Sequence, residues 1–293
     1  MRHFGRILTA MVTPFNNDGS VNYGEAVKLA QYLVNNGSDG LVVTGSTGEA
    51  ATLTKDEKIK LYTAVLEAVG DRATIIAGTG TNDTRDSVEL TKFAEQTGVH
   101  GAMVVAPYYN KPPQEGLFQH FRAIAESTTL PLIVYNVPGR TSSNILPDTI
   151  ARLAELENIA AVKEASGSLE QISEIIRITP EDFLVYSGDD TLTLPVLAVG
   201  GQGVISVAAH IVGSRMQAMV NAFYAGDMAK AKDLHLELLP FFRVIFVTTN
   251  PIPIKEAVNL IGIKAGPVRL PLVPPTAGET AQLTKVMQAL GVL

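Results

Sequence analysis

Short runs of consecutive apolar residues recur along the chain and alternate with longer stretches in which apolar residues return every three or four positions. A short run that is apolar at every position predicts a strand covered on both faces, as in a parallel sheet. Such runs lie at Ile7–Val12, Gly40–Val43, Thr74–Ala77, Ala102–Val105, Leu132–Tyr135, Ala160–Val162, Leu184–Tyr186 and Gly203–Ser206. Their regular alternation with helical stretches predicts parallel strands joined by right-handed crossovers.

The stretches between the strands carry the local signals of helices. Thr54-Lys-Asp-Glu57 is a capping-box pattern, and Ser168 to Gln171 repeats it before an amphipathic stretch. Strand–helix units of this number most simply close into a (β/α)8 TIM barrel. An open doubly wound sheet is the alternative, but "MVTPFNNDG" rather than a glycine-rich fingerprint follows the first strand.

The last part of the chain has a different pattern. From about Ala225 the apolar spacing remains helical and no further strand is predicted. The segments "KDLHLELLPFFRVIF", "PIPIKEAVNLIGI" and "ETAQLTKVMQAL" each predict a helix. We therefore expect a catalytic barrel over residues 1–224 and a C-terminal appendage of three helices over residues 225–293.

Composition narrows the class of protein. The 293 residues are 46% apolar and 18% charged, with a net charge of −6 that is scattered along the chain. This indicates a folded protein without a basic surface for nucleic acid. The N-terminus lacks a secretory leader pattern, and no apolar run reaches the about 18 residues of a membrane helix. We expect a cytoplasmic location and no membrane partner.

Metal and cofactor chemistry find little support. Cysteine is absent, and the histidines at positions 3, 100, 120, 210 and 235 form no close pair. Asp189 and Asp190 are adjacent acids without further ligands near them in the sequence. They also stand where many barrels bind phosphate, which disfavours a phosphorylated substrate or pyridoxal phosphate. We expect neither a metal nor a bound cofactor.

The ends of the predicted strands carry candidate chemistry, because barrel enzymes place reactive groups at the carboxyl ends of their strands. Those ends read "GSTGE", "PYYN", "YNVPGRT", "VKEAS" and "SGDD". Lys163 is the lysine of this set. Burial lowers the pKa of a lysine from about 10.4, and a neutral amine attacks a ketone to form a Schiff base. Tyrosine and serine hydroxyls can relay protons, and an arginine can hold a carboxylate.

Each of these residues also has an ordinary structural interpretation. Lys163 could be a surface lysine paired with Glu164. Tyr135 and Tyr109 could be core tyrosines with satisfied hydroxyls. The "GSTGE" segment could be a simple helix-entry turn, and Arg140 an ordinary loop arginine. Position alone leaves these alternatives open.

In combination, "GSTGE", "YNVPGRT", "VKEASG" and "SGDD", in this order, resemble the dihydrodipicolinate synthase/N-acetylneuraminate lyase family. The resemblance runs from "TAMVTPF" to "NPIPIKEA" and "RLPL", and "PYYNKPPQEG" with "YNVPGRT" resembles the synthase branch. It implies condensation of pyruvate with aspartate 4-semialdehyde in the diaminopimelate route to lysine. It also implies a homotetramer built from tight dimers.

The resemblance further implies residue roles. Lys163 would form the Schiff base, Tyr135 would exchange protons with the substrate, and Ser46 with Tyr109 would complete a proton relay. In this family the residue matching Tyr109 reaches into the site of a neighbouring subunit. The implied substrate-binding residues are Thr47 and the backbone of Ile205 for the pyruvate carboxylate, Arg140 for the semialdehyde carboxylate, and Gly188 near the second substrate.

Two departures from the family pattern affect what is expected. The relay hydroxyl, often threonine in the synthases, is Ser46 here; we expect activity to survive, with a less constrained side chain. Feedback inhibition by lysine is the second. Ala51, Asn82, Asp86 and Tyr108 fall near the effector-binding positions, but lysines stand at 55 and 58, where inhibited enzymes tend to carry histidine or glutamate. These cations should repel the effector's ammonium, so we expect weak or no inhibition.

Two other functions remain as alternatives. A sister aldolase acting on a sialic acid or a 2-keto-3-deoxy sugar acid would share Lys163, Tyr135 and Thr47. Arg140 favours instead a short acceptor that carries a carboxylate. A non-catalytic barrel that binds pyruvate as a regulator is disfavoured because the lysine, the relay and the arginine are all present.

Overall fold

Eight parallel strands form a closed barrel in the computed structural model, which describes residues 4–293. The strands are β1 (Ile7–Ala10), β2 (Gly40–Val43), β3 (Thr74–Gly78), β4 (Gly101–Val105), β5 (Leu132–Asn136), β6 (Ile159–Glu164), β7 (Leu184–Ser187) and β8 (Gly203–Ser206). They pair in chain order and β8 pairs with β1. The predicted (β/α)8 TIM barrel is confirmed.

Helices surround the barrel and follow it at the C-terminal end. Their bounds are α1 (Tyr23–Asn35), α2 (Lys55–Val69), α3 (Thr84–Thr97), α4 (Gln114–Ala125), α5 (Pro138–Thr141), α6 (Pro147–Ala154), α7 (Leu169–Ile178), α8 (Thr193–Ala198), α9 (Ala209–Tyr224), α10 (Met228–Val244), α11 (Ile252–Leu260) and α12 (Ala277–Ala289). Within residues 4–293, none of the helices has the length and apolar character needed to cross a membrane. The three helices predicted at the C-terminal end are α10, α11 and α12.

Of the two predicted capping boxes, the one at α2 is confirmed in full and the one at α7 in part. Thr54 and Glu57 form the reciprocal capping box at the start of α2. Ser168 Oγ accepts a hydrogen bond from the Gln171 amide at the start of α7. The Gln171 side chain does not return the bond, because its Nε2 lies 3.2 Å from Glu164 Oε2 instead.

The difference between predicted and observed strand bounds that matters for the site is at β6. The strand was expected to end at Val162, but it continues through Lys163 and Glu164, which pair in register with Tyr135 and Asn136 of β5. Successive strand residues point to opposite faces. Lys163 therefore points to the side of the barrel interior with Tyr135, and Glu164 points outward to the helices.

Two apolar layers hold the fold together. The barrel interior is packed by strand residues such as Val42, Met103, Tyr186 and Ile205, and Tyr135 belongs to this same cluster. A second and larger cluster lies between the barrel and the helices, as parallel strands require. It includes Val220 of α9 and Leu238 of α10, so apolar packing is continuous across residue 224. The division into two domains at that point stays a prediction.

Candidate active site

Lys163 is the central group of the site. Its side chain is buried, with 4% of the residue exposed, and Nζ lies 4.3 Å from the centroid of the Tyr135 ring. Within the described residues, no carboxylate lies within ion-pair distance of this amine. Burial lowers the pKa of Lys163 to about 7, the field of Asp190 raises it, and that of Arg140 lowers it further. A large fraction of the amine is therefore neutral at neutral pH.

Tyr135 and Ser46 form the part of the expected relay that lies within one chain. Burial raises the pKa of Tyr135, whereas the nearby Arg140 and a hydrogen bond with the Ser46 side chain both lower it. Both residues line a cavity of about 340 Å³ at the mouth of the barrel. The structure thus brings together Lys163, Tyr135 and Ser46 from three different strand ends.

Gly188 follows β7 and packs against the stem of Lys163. A Cβ atom added at Gly188 would lie 3.2 Å from Lys163 Cε and 2.6 Å from Ala165 Cβ. A side chain at position 188 would therefore clash with Ala165, and the Lys163 stem would have to shift by a few tenths of an ångström. Ile205 is fully buried in β8, within the interior cluster that also contains Tyr135.

The turn after β2 carries Ser46 and Thr47 between two residues of left-handed backbone. Thr44 has φ 55° and Glu49 has φ 56°, which costs a non-glycine residue about 1–3 kcal/mol. Thr13 Oγ1 supports the turn by donating to the Gly48 carbonyl over 2.6 Å. The bond from Thr13 thus holds the main chain of the turn that carries these two hydroxyls.

Thr47 and Arg140 are connected through a single residue, Asn250. Asn250 Nδ2 donates to Thr47 Oγ1 over 2.9 Å, and Arg140 Nη2 donates to the main-chain oxygen of Asn250 over 2.8 Å. Arg140 is exposed and lies in the short helix α5 between β5 and α6, and its role in binding substrate stays a prediction.

Tyr109 is not part of the cavity formed by its own chain. The residue is 88% exposed and has φ 74°, and its amide lies 3.4 Å from the Thr141 carbonyl. The neighbouring Tyr108 lines the cavity instead. The interpretation of Tyr109 as a core tyrosine is therefore wrong.

Glu164 is not the ion-pair partner of Lys163, so that alternative is also wrong. Its carboxylate accepts from Asn136 Nδ2 at 2.9 Å and from the Ser166 amide at 2.7 Å. Since Glu164 lies on the outer face of β6, these bonds hold the strand end without neutralising the amine on the inner face.

Asp190 is a buried acid whose role the sequence did not reveal. Its carboxylate accepts from the Ser206 hydroxyl and from the amides of Val207 and Ala208 at 3.1 Å and 3.0 Å. Burial raises the pKa of Asp190 to about 6 although these hydrogen bonds lower it. Asp190 thereby fixes the chain just after Ile205 and also favours the ammonium form of Lys163.

A buried ion pair links the turn after β2 to the C-terminal helices, and sequence analysis missed it. Lys255 Nζ of α11 lies 2.8 Å from Glu49 Oε1, and the Arg269 amide donates to Glu49 Oε2 over 2.9 Å. Lys255 and Arg269 also lie over the ring of Phe15, at 3.9 Å and 4.3 Å from its centroid. The segment "NPIPIK" was part of the family pattern, but nothing local indicated the partners of Asn250 or Lys255.

The residues at the expected effector positions separate into two groups. Ala51, Lys58 and Tyr108 line the cavity, and burial lowers the pKa of Lys58. Lys55 points elsewhere and pairs with Glu89 at 2.7 Å. Asn82 and Asp86 are not among the cavity-lining residues.

Groups that could bind a metal are not found in the part of the chain from residue 4 onward: no three His, Cys, Asp or Glu side chains converge there. His210 is buried with Nε2 accepting from the Val12 amide at 3.1 Å and Nδ1 at 2.8 Å from the Val207 carbonyl. Burial lowers its pKa to about 4, so it serves as a neutral structural group. His3 lies outside the described residues.

Comparison with known proteins shows what the chain as a whole is similar to. The model of the dihydrodipicolinate synthetase family matches residues 3–290. The chain is 59% identical over 290 residues to 4-hydroxy-tetrahydrodipicolinate synthase of Moorella thermoacetica, covering 99% of each chain. It is similar to the crystal structure of dihydrodipicolinate synthase from Bacillus anthracis, with TM-score 0.97, 50% identity and 99% of each chain covered. A lysine-bound synthase from Cyanidioschyzon merolae gives TM-score 0.98 at 47% identity, again over 99% of each chain.

Proposed function

The chain belongs to the dihydrodipicolinate synthetase family, and from this premise we propose that it is a 4-hydroxy-tetrahydrodipicolinate synthase. It condenses pyruvate with aspartate 4-semialdehyde through a Schiff base on Lys163. The observation that carries the mechanism is a lysine buried beside Tyr135 with no carboxylate partner among the described residues, and this burial lowers its pKa to about 7. Such an amine is a nucleophile at neutral pH.

The first half of the reaction activates pyruvate. Neutral Lys163 Nζ attacks the ketone carbon, and proton transfers assisted by Tyr135 release the ketone oxygen as water, which leaves an iminium ion. Loss of a proton from the pyruvate methyl group then gives an enamine. Tyr135 suits this role because its hydroxyl bonds Ser46, which can pass protons onward.

The second half joins the two substrates. The enamine carbon attacks the aldehyde carbon of aspartate 4-semialdehyde, whose oxygen takes up a proton and becomes the 4-hydroxyl group. The amino group of the adduct then attacks the iminium carbon and displaces Lys163, which closes the ring. One water is lost overall, and the lysine is regenerated.

Each substrate is oriented through its carboxylate. Thr47 and the backbone at Ile205 bind the pyruvate carboxylate, and Arg140 binds the carboxylate of the semialdehyde through its planar guanidinium. Gly188 leaves the space in which the Lys163 stem and its adduct lie. The carboxylate-binding arginine favours an acceptor aldehyde that itself carries a carboxylate over the uncharged sugar aldehydes with which sister aldolases join pyruvate.

Tyr109 completes the relay from a neighbouring subunit. Its exposed ring on its own chain supports this assignment, because a tyrosine that serves another subunit must project from the surface. The homotetramer, the cytoplasmic location and the absence of a dissociable cofactor are the remaining parts of the proposal.

Trapping with borohydride tests the Schiff base directly. Pyruvate followed by borohydride should add one reduced pyruvate to Lys163, located by peptide mass spectrometry. Lys255 is a matched control within the same chain, because it is equally buried but pairs with Glu49. Label at Lys255, or no label at all, would contradict the mechanism.

Turnover assays separate the proposed reaction from its alternatives. Pyruvate with aspartate 4-semialdehyde should give the cyclic product, whereas N-acetylneuraminate and 2-keto-3-deoxy sugar acids should not be cleaved. Efficient cleavage of a sugar acid would identify a sister aldolase. Trapping without either turnover would identify a barrel that only binds pyruvate.

A further inference from the structure

Asn250 contacts both of the residues whose side chains are expected to bind substrate carboxylates, Thr47 and Arg140. It lies between α10 and α11, with Nδ2 2.9 Å from Thr47 Oγ1 and its main-chain oxygen 2.8 Å from Arg140 Nη2. The residue is buried and also lines the cavity beside Ser46. One loop residue from the C-terminal segment thus reaches both halves of the site.

The direction of the Asn250–Thr47 hydrogen bond determines what Thr47 can do. An amide nitrogen only donates, so Thr47 Oγ1 is the acceptor in this bond. A threonine hydroxyl has a single proton, and this bond leaves that proton available. A carboxylate accepts hydrogen bonds and donates none when ionised, so it needs such a free proton.

We propose that Asn250 is a positioning residue, whose amide orients the Thr47 hydroxyl so that it donates to the pyruvate carboxylate. This inference rests on the proposed function, because it assumes that pyruvate is the bound substrate. Arg140 is held by the main-chain oxygen of Asn250, so the Asn250 side chain serves the pyruvate half of the site alone.

The other side-chain atom of Asn250 supports a functional role. Asn250 Oδ1 is buried, and none of the described residues gives it a hydrogen-bond partner. A buried carbonyl oxygen without a partner destabilises a fold, and an apolar side chain of similar size would avoid that loss. Packing alone therefore does not account for asparagine at this position.

The substitution Asn250→Asp tests the direction of the bond. A carboxylate at position 250 would accept the Thr47 proton and would place a negative charge near the substrate carboxylate. We expect the pyruvate concentration for half-maximal trapping on Lys163 to rise roughly ten- to hundredfold. In Thr47→Val, where no hydroxyl proton remains to be redirected, the same change should have a smaller effect.

The substitution Asn250→Leu separates positioning from structural support. It removes the amide without adding charge, and we expect the half-saturating pyruvate concentration to rise about three- to tenfold. The KM for aspartate 4-semialdehyde should stay within about twofold, since the main-chain contact to Arg140 remains. Thermal unfolding should shift little or upward, because the unpaired oxygen is lost. Asn259→Ala is the matched control, because that amide bonds only the backbone of Gly266.

The outcomes distinguish this inference from the function on which it rests. Higher half-saturating pyruvate in both Asn250 variants, with an unchanged semialdehyde KM in Asn250→Leu, would support it. Normal labelling of Lys163 with unchanged pyruvate dependence would overturn the inference and leave the proposed function intact. An equal rise in both substrate constants would overturn it in favour of general loop damage. No label in the unsubstituted protein would overturn the function and the inference together.

Discussion

Replacing Lys163 with methionine should stabilise the fold while abolishing Schiff-base chemistry. The lysine is buried among apolar strand residues and has no carboxylate partner among the described residues. Transfer of its ammonium from water into this interior is unfavourable, which is why its pKa falls from 10.5 to about 7. Methionine has a similar length and no charge, so it fills the space without that penalty.

The pKa shift sets the size and the pH dependence of the effect. The unfolded chain binds more protons than the folded one between about pH 7 and pH 10.5, so stability rises with pH across this window. Linkage gives a penalty from Lys163 of about 4 kcal/mol at pH 7, falling to about 2 kcal/mol at pH 9. The stability gained by the methionine variant relative to the parent should therefore decrease by about 2 kcal/mol from pH 7 to pH 9.

Lys255 provides a control in which the same substitution should destabilise the fold instead of stabilising it. This lysine is 1% exposed, but it forms an ion pair with Glu49 at 2.8 Å. Lys255→Met would leave Glu49 as a buried charge without its partner, which costs about 3–5 kcal/mol. Two equally buried lysines should thus respond to the same substitution in opposite directions.

Urea unfolding at fixed protein concentration, at pH 7 and pH 9, measures both effects. The shifted groups Asp190 and His210 have pKa values of about 6 and about 4, below this window. Other groups titrate alike in the variant and the parent, so they cancel in the difference. A Lys163→Met variant no more stable than the parent, or a gain equal at both pH values, would refute the reasoning.

Three further predictions concern activity. Gly188→Ala should slow trapping of pyruvate roughly tenfold, because the new Cβ clashes with Ala165 and shifts the stem of Lys163 slightly; Gly139→Ala, where no atom of the described residues lies within 4 Å, is the control measured in the same way. Tyr109→Phe should lower kcat roughly ten- to hundredfold through loss of a relay proton, while circular dichroism stays unchanged because the ring is exposed. L-Lysine should inhibit steady-state turnover weakly or not at all, because Lys58 adds a cationic side chain to the cavity beside the expected effector positions Ala51 and Tyr108.

Clear outcomes would count against each of these predictions. Trapping by Gly188→Ala at the parent rate would show that the lysine stem has room to spare. Unchanged kcat in Tyr109→Phe would remove this residue from the relay. Inhibition by micromolar lysine would show that Lys58 does not repel the effector.

The barrel and the position of Lys163 at its mouth were predictable because both depend on local pattern. Apolar runs at every position indicate strands covered on both faces, and a strand end in a barrel lies at the mouth. The side of the sheet to which Lys163 points follows from strand alternation only if Lys163 belongs to β6. The sequence predicted an end at Val162, two residues before the observed end at Glu164, so the partner of the lysine stayed undecided. The observed register with Tyr135 decides it.

Contacts between distant parts of the chain were not predictable in the same way. Asn250 lies 203 positions from Thr47, and Lys255 lies 206 positions from Glu49. No periodicity relates residues at such separations, since their approach depends on how the C-terminal helices pack over the barrel. Asp190 was visible in the sequence as an acid at a strand end. Its backbone partners, the amides of Val207 and Ala208, lie in the turn after β8, and only the folded barrel brings that turn to the end of β7.

The ion pair between Glu49 and Lys255 has a consequence for the order in which the protein matures. A ribosome releases the strands that carry Ser46, Tyr135 and Lys163 well before it releases α11. A nascent chain at that stage contains all three of these residues, yet the turn after β2 still lacks the cation and the backbone amide that hold Glu49. The turn after β2 therefore reaches its observed arrangement only after α11 and the segment that carries Arg269 have been synthesised.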